Sequence, residues 1–209
     1  EKFNKRWLGI FVANISGLLF LTIAGKFSSD GDTMGMLMAV LTSNFWLSTH
    51  VISITIGYAG CCVAGIIAHI YMLQGILWPK DKAYLNTVYK NMRGALGFGL
   101  AMTFLGTTLG GIWADASWGR FWGWDPKENG ALLIILWSVF ILHAKAGNMI
   151  GPLGFAVGNV FACIVVAWAW FGVNLLNVGL HSYGFTSGIV WGLVTYILLE
   201  AVFITVTVP

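Results

Sequence analysis

The chain has 209 residues, 58% of them hydrophobic and only 9% charged, against about 25% charge in an ordinary soluble domain. Its formal net charge of +3 is too slight to argue for nucleic acid, and the lipid bilayer becomes the expected surroundings. Apolar runs close to the roughly 20 residues that a helix needs to cross a bilayer recur along the chain. The expected fold class is therefore all-α, a polytopic membrane helical bundle.

In chain order, about six transmembrane helices are expected, over 7–25, 46–73, 91–113, 128–145, 151–172 and 187–208. All are read as helices because lipid offers no partner for an unpaired backbone group. No soluble domain, internal repeat or low-complexity linker interrupts them, so residues 1–209 read as a single transmembrane domain. Glu1 opens into a helix without an initiator methionine, which points to an upstream segment and to a larger protein or complex. The first apolar run is too long for a cleavable signal peptide and lacks a small-residue cleavage site. Cys61, Cys62 and Cys163 fall inside apolar runs without CxxC spacing. They read as small buried apolar residues, not as a thiol relay.

Orientation follows from where Lys and Arg fall in the connections. With a cytoplasmic N-terminus, that side holds Lys2, Lys5, Arg6, Lys80, Lys82, Lys90, Arg93 and Lys145, and the far side keeps Lys26, Arg120 and Lys127. The stretch "SWGRFWGWDPKEN" between the third and fourth spans then lies on the outer face. So do the segment "VNLLNVGLHSYGFTSG" before the last span and His50 at the start of the second.

The tryptophan-rich stretch has a plain reading and a sharper one. Tryptophan favours the membrane–water boundary, and "DPKE" reads as a helix start, with Asp125 as N-cap, Pro126 at the first helical position and Glu128 closing a capping box. Neither reading explains why Trp113, Trp118, Trp122 and Trp124 crowd one connection. With Gly119 and Gly123 as spacers, such a segment can build a flat apolar platform for a large planar molecule. Arg120 and Lys127 could pair with carboxylates on that molecule's edge.

"WGRFWGWDPKE" resembles the tryptophan-rich WWD motif of the haem-handling proteins of cytochrome c biogenesis. "THVISITIGYAG", "LWSVFILHAK" and "GLHSYGF" look like that family too, so the resemblance runs from about residue 45 to 200. The "WDPKE" form and the "LHSYG" segment look like the haem-binding A component of the System II cytochrome c synthases. The System I ligase subunit shares the WDP-x-EN pattern ending here in Asn129.

The resemblance implies haem b as substrate and ligand, with Trp113, Trp118, Arg120, Trp122, Trp124 and Asp125 as its contacts. Haem iron takes imidazole ligands readily, and the chain has 4 histidines. His50 and His181, expected on the outer side, match the family's external ligand pair and are the residues expected to carry the chemistry. His143 is expected some 20 Å lower, about fifteen helical residues away. It matches a histidine that binds haem inside the membrane, with its opposite ligand supplied by the B component, fused or separate. His69 reads as a packed core histidine, with an inner ligand opposite His143 as the alternative. Glu200 reads as a hydrogen-bonded or water-facing acid.

The implied reaction is that of a holocytochrome c synthase, or haem lyase, acting together with its partner component. It joins the haem vinyls to the thiols of a CxxCH segment of apocytochrome c. The alternative is a haem exporter or chaperone that hands haem to a separate ligase. A cytochrome b would bury its haems between helical histidines well inside the bilayer, and an unrelated transporter would need a charged pathway beyond Glu200. The implied location is a bacterial inner membrane, or a thylakoid membrane if plastid, with the active face periplasmic or outer.

Overall fold

The computed structural model describes residues 6–28, 43–78, 81–176, 178–181 and 188–208. It divides into two units, residues 1–39 and 40–209, each described by itself. In the first unit, helix α1 spans Arg6–Ser28. Two of its polar side chains return to its own backbone: the Asn14 amide donates to the Ile10 carbonyl and the Thr22 hydroxyl to the Leu18 carbonyl, both at 2.8 Å. Such back-bonding hides polar groups where no water is at hand.

The second unit holds α2 (Asn44–Leu77), α3 (Lys82–Trp118), α4 (Pro126–Ala146), α5 (Pro152–Trp170) and α6 (Ile189–Thr207). A 3-10 turn, Gly172–Leu176, follows α5, and residues Leu47–Val51 of α2 form a π-helical turn. Helices α2 to α6 are long and apolar enough to cross a membrane; the described apolar part of α1, Gly9–Thr22, is shorter. The protein is thus an all-α polytopic membrane protein in which five of the six expected spans meet the length requirement among the described residues.

The largest departure from expectation is α3. The third span was expected over 91–113 after a cytoplasmic connection, yet the helix has 37 residues, about 55 Å at 1.5 Å per residue. That exceeds the roughly 30 Å hydrocarbon core. Its start is set by Asp81, whose side chain accepts from the Tyr84 N–H at 2.9 Å. The residues that follow, such as Lys82, Ala83, Leu85 and Lys90, are mostly good helix formers. Lys82 and Lys90 therefore ride on a helix instead of lying in a loop.

Close approach of α2 and α3 organises the unit. A Cβ at Gly60 would lie 2.8 Å from Gly99 Cα, and one at Gly106 would lie 2.6 Å from the Ile54 nitrogen. Small residues at such crossings let backbones meet where lipid gives no hydrophobic drive to association. Against this pair pack α4 and α5, with Met72, Met92, Leu96, Ile134, Phe155, Val160 and Val166 buried between them. Two buried polar side chains donate locally: Thr103 to the Gly99 carbonyl and the Asn159 amide to that of Phe155, each at 2.8 Å. The cysteines are free thiols, Cys61 and Cys163 buried and Cys62 half-buried.

Helix α6 buries Leu193, Glu200 and Thr207, with Phe203 and Ile204 packed against the core beside them. Glu200 Oε2 lies 2.8 Å from His69 Nε2, while His69 Nδ1 lies 2.8 Å from the Gly65 carbonyl. A carbonyl only accepts, so Nδ1 carries a hydrogen. The remaining proton sits either on Nε2, giving an imidazolium–carboxylate pair, or on the carboxyl. Either way the pair has no net charge, which is the condition under which lipid tolerates it. His69 is thereby a core histidine with both ring nitrogens engaged, and Glu200 is hydrogen-bonded.

Candidate functional site at the tryptophan loop

The loop is shorter than the sequence implied, because Trp113 and Trp118 belong to α3. Gly119 ends the helix at φ +69°, and its N–H donates to the Asp115 carbonyl at 2.9 Å, a left-handed cap that glycine adopts without strain. The chain then turns through residues 120–124 into α4. Asp125, Pro126 and Glu128 start that helix as expected, with the reciprocal capping box formed. Glu128 does more than close the box. Its Oε2 accepts from the backbone N–H groups of Gly123 and Asp125 at 2.8 and 3.1 Å, and its Oε1 pairs with Arg120 Nη1 at 3.2 Å.

Trp124 stands at the crest, 70% exposed and at φ +56°. A bulky residue in the left-handed region costs on the order of 1–3 kcal/mol, and such residues cluster at functional sites. The Asn129 amide donates to the Trp124 carbonyl at 2.9 Å and helps to hold it there.

The rings do not form the flat surface expected. Trp122 and Trp124 meet at 90° with centroids 6.0 Å apart. Trp118 meets the His181 ring edge-on, at 82° and 5.0 Å. The one parallel indole pair described is Trp113 with Trp46, at 10° and 6.2 Å. Edge-to-face contacts are the arrangement that ring quadrupoles favour. The result is a set of walls at angles to one another.

The loop's cations are already engaged. Arg120 pairs with Glu128 and lies 5.8 Å from the Trp118 ring. Lys127 Nζ donates to the Trp170 carbonyl at 2.6 Å, placing a positive charge on the C-terminal end of α5, where the helix dipole favours one. The carboxylate-pairing role expected of Lys127 is replaced by a structural cap.

His50 and His181 are both brought to this end of the unit, beside Trp113 and Trp118 respectively. His50 sits in the π turn of α2. Its Nδ1 lies 2.7 Å from the Gly106 carbonyl, and its ring meets Trp113 at 5.7 Å and 64°. His181 is held by Asp125, which is 4% exposed. The His181 backbone N–H donates to Asp125 Oδ2 at 3.3 Å, and Nδ1 lies 3.2 Å from Oδ1. Gly179, at φ +91°, keeps the chain against that carboxylate, since a Cβ there would collide with Asp125 Oδ2. In His50 Nδ1 faces a hydrogen-bond acceptor, which leaves Nε2 as the basic nitrogen; the His181 ring is held beside Asp125 at ion-pair distance. Metal-ligating imidazoles are oriented in this way by their outer partners. Among the described residues no group of three or more His, Cys, Asp and Glu could hold a bare metal ion.

His143 lies in the last turn of α4, 17 residues beyond Pro126, about 26 Å away along the helix. It is exposed, with Nδ1 2.8 Å from the Val139 carbonyl. Sequence reasoning missed Trp46, Gly106 and Asn129 as members of this site. Asn129 alone left a local trace, four residues after the N-cap.

Fold and site define an integral membrane protein that gathers two imidazoles and a wall of indoles at one end of a helical bundle. The chain belongs to the cytochrome C assembly protein family, whose model matches residues 1–181. It is similar to the cytochrome c biogenesis protein CcsA of Chlamydomonas reinhardtii, 30% identical over 190 residues, covering 87% of this chain and 52% of that protein. It is 29% identical to the CcsA of Guillardia theta over 216 residues, covering 88% and 68% respectively. To the protein NrfI of Wolinella succinogenes it is 35% identical over 156 residues, covering 70% of this chain and 17% of that protein. The chain thus spans about half the length of the first of these relatives. Membership ties it to cytochrome c biogenesis.

Proposed function

We propose that the chain takes haem b as its substrate at the tryptophan loop, presents it at the outer face of the membrane, and attaches it to apocytochrome c together with a partner component. The observation that carries this reading is the paired imidazoles. His50 and His181 come from opposite parts of the chain, His50 with Nδ1 on the Gly106 carbonyl and His181 at ion-pair distance from Asp125, beside Trp113 and Trp118. Two imidazoles without further ligands suit an iron that brings its own equatorial nitrogens, as haem does. The indole walls supply apolar contact for the macrocycle.

The chain's part in the reaction is to bind, orient and yield. His50 and His181 hold the iron from its two faces, and Asp125 and the Gly106 carbonyl fix the two rings. A histidine of the incoming CxxCH segment displaces one of them, which brings the adjacent thiols alongside the vinyl groups. Each S–H then adds across a vinyl C=C, forming a C–S and a C–H bond with no atom lost and no oxidant consumed. Catalysis of this kind is positioning. His143, exposed at the opposite end of α4, is read as one half of an inner haem position that the partner component completes.

The test is to co-express the full protein and its partner with an apocytochrome, then to look for haem that stays on the cytochrome in a denaturing gel. Covalent haem is expected. Haem bound to the chain with no covalent product would instead mark a carrier that serves another ligase. In the same system, replacing Trp118, Trp122 and Trp124 together by Ala is expected to lower haem occupancy severalfold while insertion in the membrane stays normal. Wild-type haem content in that variant would remove the indoles from the site.

A further inference from the structure

We propose that Gly106 and Gly110 of α3 are positioning residues for His50. Gly106 supplies the carbonyl that decides which ring nitrogen keeps its hydrogen, and Gly110 leaves the space in which the ring lies. The link to chemistry rests on reading His50 as an iron ligand, whereas the positioning is a property of the protein without haem.

Three features converge on the ring. His50 lies in the π turn Leu47–Val51, where an extra residue in the turn changes the direction in which side chains leave the helix. Its Nδ1 lies 2.7 Å from the Gly106 carbonyl oxygen, which can only accept, so Nδ1 bears the hydrogen and Nε2 the lone pair. Gly106 and Gly110 stand one helical turn apart, so the carbonyl that receives the ring and the gap beside it belong to the same turn of α3. A Cβ at Gly110 would lie 2.5 Å from His50 Cε1, 2.9 Å from Nδ1 and 3.3 Å from Nε2. No ring can keep its place against those contacts.

The two glycines differ in what a methyl group would strike. At Gly106 it meets backbone, the nitrogen and Cα of Ile54 at 2.6 and 2.7 Å, whereas at Gly110 the nearest atoms all belong to the His50 ring. Gly106→Ala would therefore separate the helices. Gly110→Ala would turn one side chain away and leave the crossing intact. Gly97 supplies the control: it lies on the same helix, and a Cβ there meets nothing within 4 Å.

The experiment uses the full chain, haem-free in detergent micelles, with isotope-labelled histidine, the His50 signals being identified by their loss in His50→Gly. Nitrogen–carbon correlations report the tautomer. In the wild type and in Gly97→Ala, His50 is expected as the Nδ1–H form; in Gly110→Ala that form gives way to a mixture or to Nε2–H. An unchanged His50 tautomer in Gly110→Ala overturns the inference, whatever haem does. In the haem-loaded protein, Gly110→Ala is expected to lose cytochrome c synthesis as His50→Gly does, but, unlike that variant, not to regain it when imidazole is added, because the methyl occupies the place of the ring. A shifted tautomer with wild-type haem ligation would leave the positioning standing and sink the reading of His50 as a ligand. If Gly110→Ala does not fold, the double variant Gly110→Ala/His50→Ala is expected to fold, because the added methyl then meets no ring. Failure of the double variant would equally overturn the inference.

Discussion

His50→Gly and His181→Gly are each expected to abolish cytochrome c synthesis, and free imidazole in the growth medium is expected to restore much of it. Each substitution leaves a hole the size of the lost ring and an iron short of one ligand, and the site lies at the end of the bundle, within reach of small solutes. The two rescues should differ in strength. At His50 the returning ring finds the Gly106 carbonyl, a neutral acceptor. At His181 it finds the Asp125 carboxylate, almost fully buried and short of one of its contacts. A hydrogen bond to a charged acceptor is roughly twice as strong as one to a neutral acceptor, so less imidazole is needed to restore His181→Gly. The measurements are the absorption spectrum of the purified protein and the yield of covalent haem against imidazole concentration. A histidine that merely packed would lose folded protein, and imidazole would not return an iron spectrum. If both variants keep a bis-imidazole spectrum with no imidazole added, neither residue is a ligand.

What the sequence made legible was local or set by topology. The capping box at Asp125, Pro126 and Glu128 needs only four consecutive residues and a helix to follow, so it could be read directly. The gathering of His50, His181 and the tryptophans at one end followed from counting spans, because helices that cross a layer return their ends to the same two faces. What stayed hidden depends on pairings between distant residues. Trp46 stacks on Trp113 and His50 reaches Gly106, contacts set by the depth at which α2 crosses α3 and not by either segment's composition. Lys127 looked available to a ligand because nothing in its own neighbourhood shows that α5 will end beside it and offer the Trp170 carbonyl. The length of α3 was missed for a different reason. Hydropathy marks where lipid begins, whereas the Asp81 cap and the helix formers after it mark where the helix begins.

Glu200→Leu is expected to destabilise the protein by about 1–3 kcal/mol, the cost of leaving a buried polar partner unsatisfied. That is less than the roughly 3–5 kcal/mol of a broken buried ion pair, because the survivor can shed its charge. Without Glu200, His69 keeps its Nδ1–H on the Gly65 carbonyl and holds no second proton, so what remains is an Nε2 lone pair without its carboxyl partner. Glu200→Gln should cost less, since its amide can donate to that lone pair. The double variant His69→Leu/Glu200→Leu should recover most of the loss, as removing both polar partners from an apolar site is close to neutral. A thermodynamic cycle over these variants, measured by thermal unfolding in detergent, should give a coupling of about 0.5–3 kcal/mol; additive losses would mean that the 2.8 Å contact contributes nothing. The damage should also be confined. Because α6 buries few residues, Leu193, Glu200 and Thr207, backbone exchange should accelerate first in α6, while the α2–α3 crossing, locked by Gly60 against Gly99, stays protected.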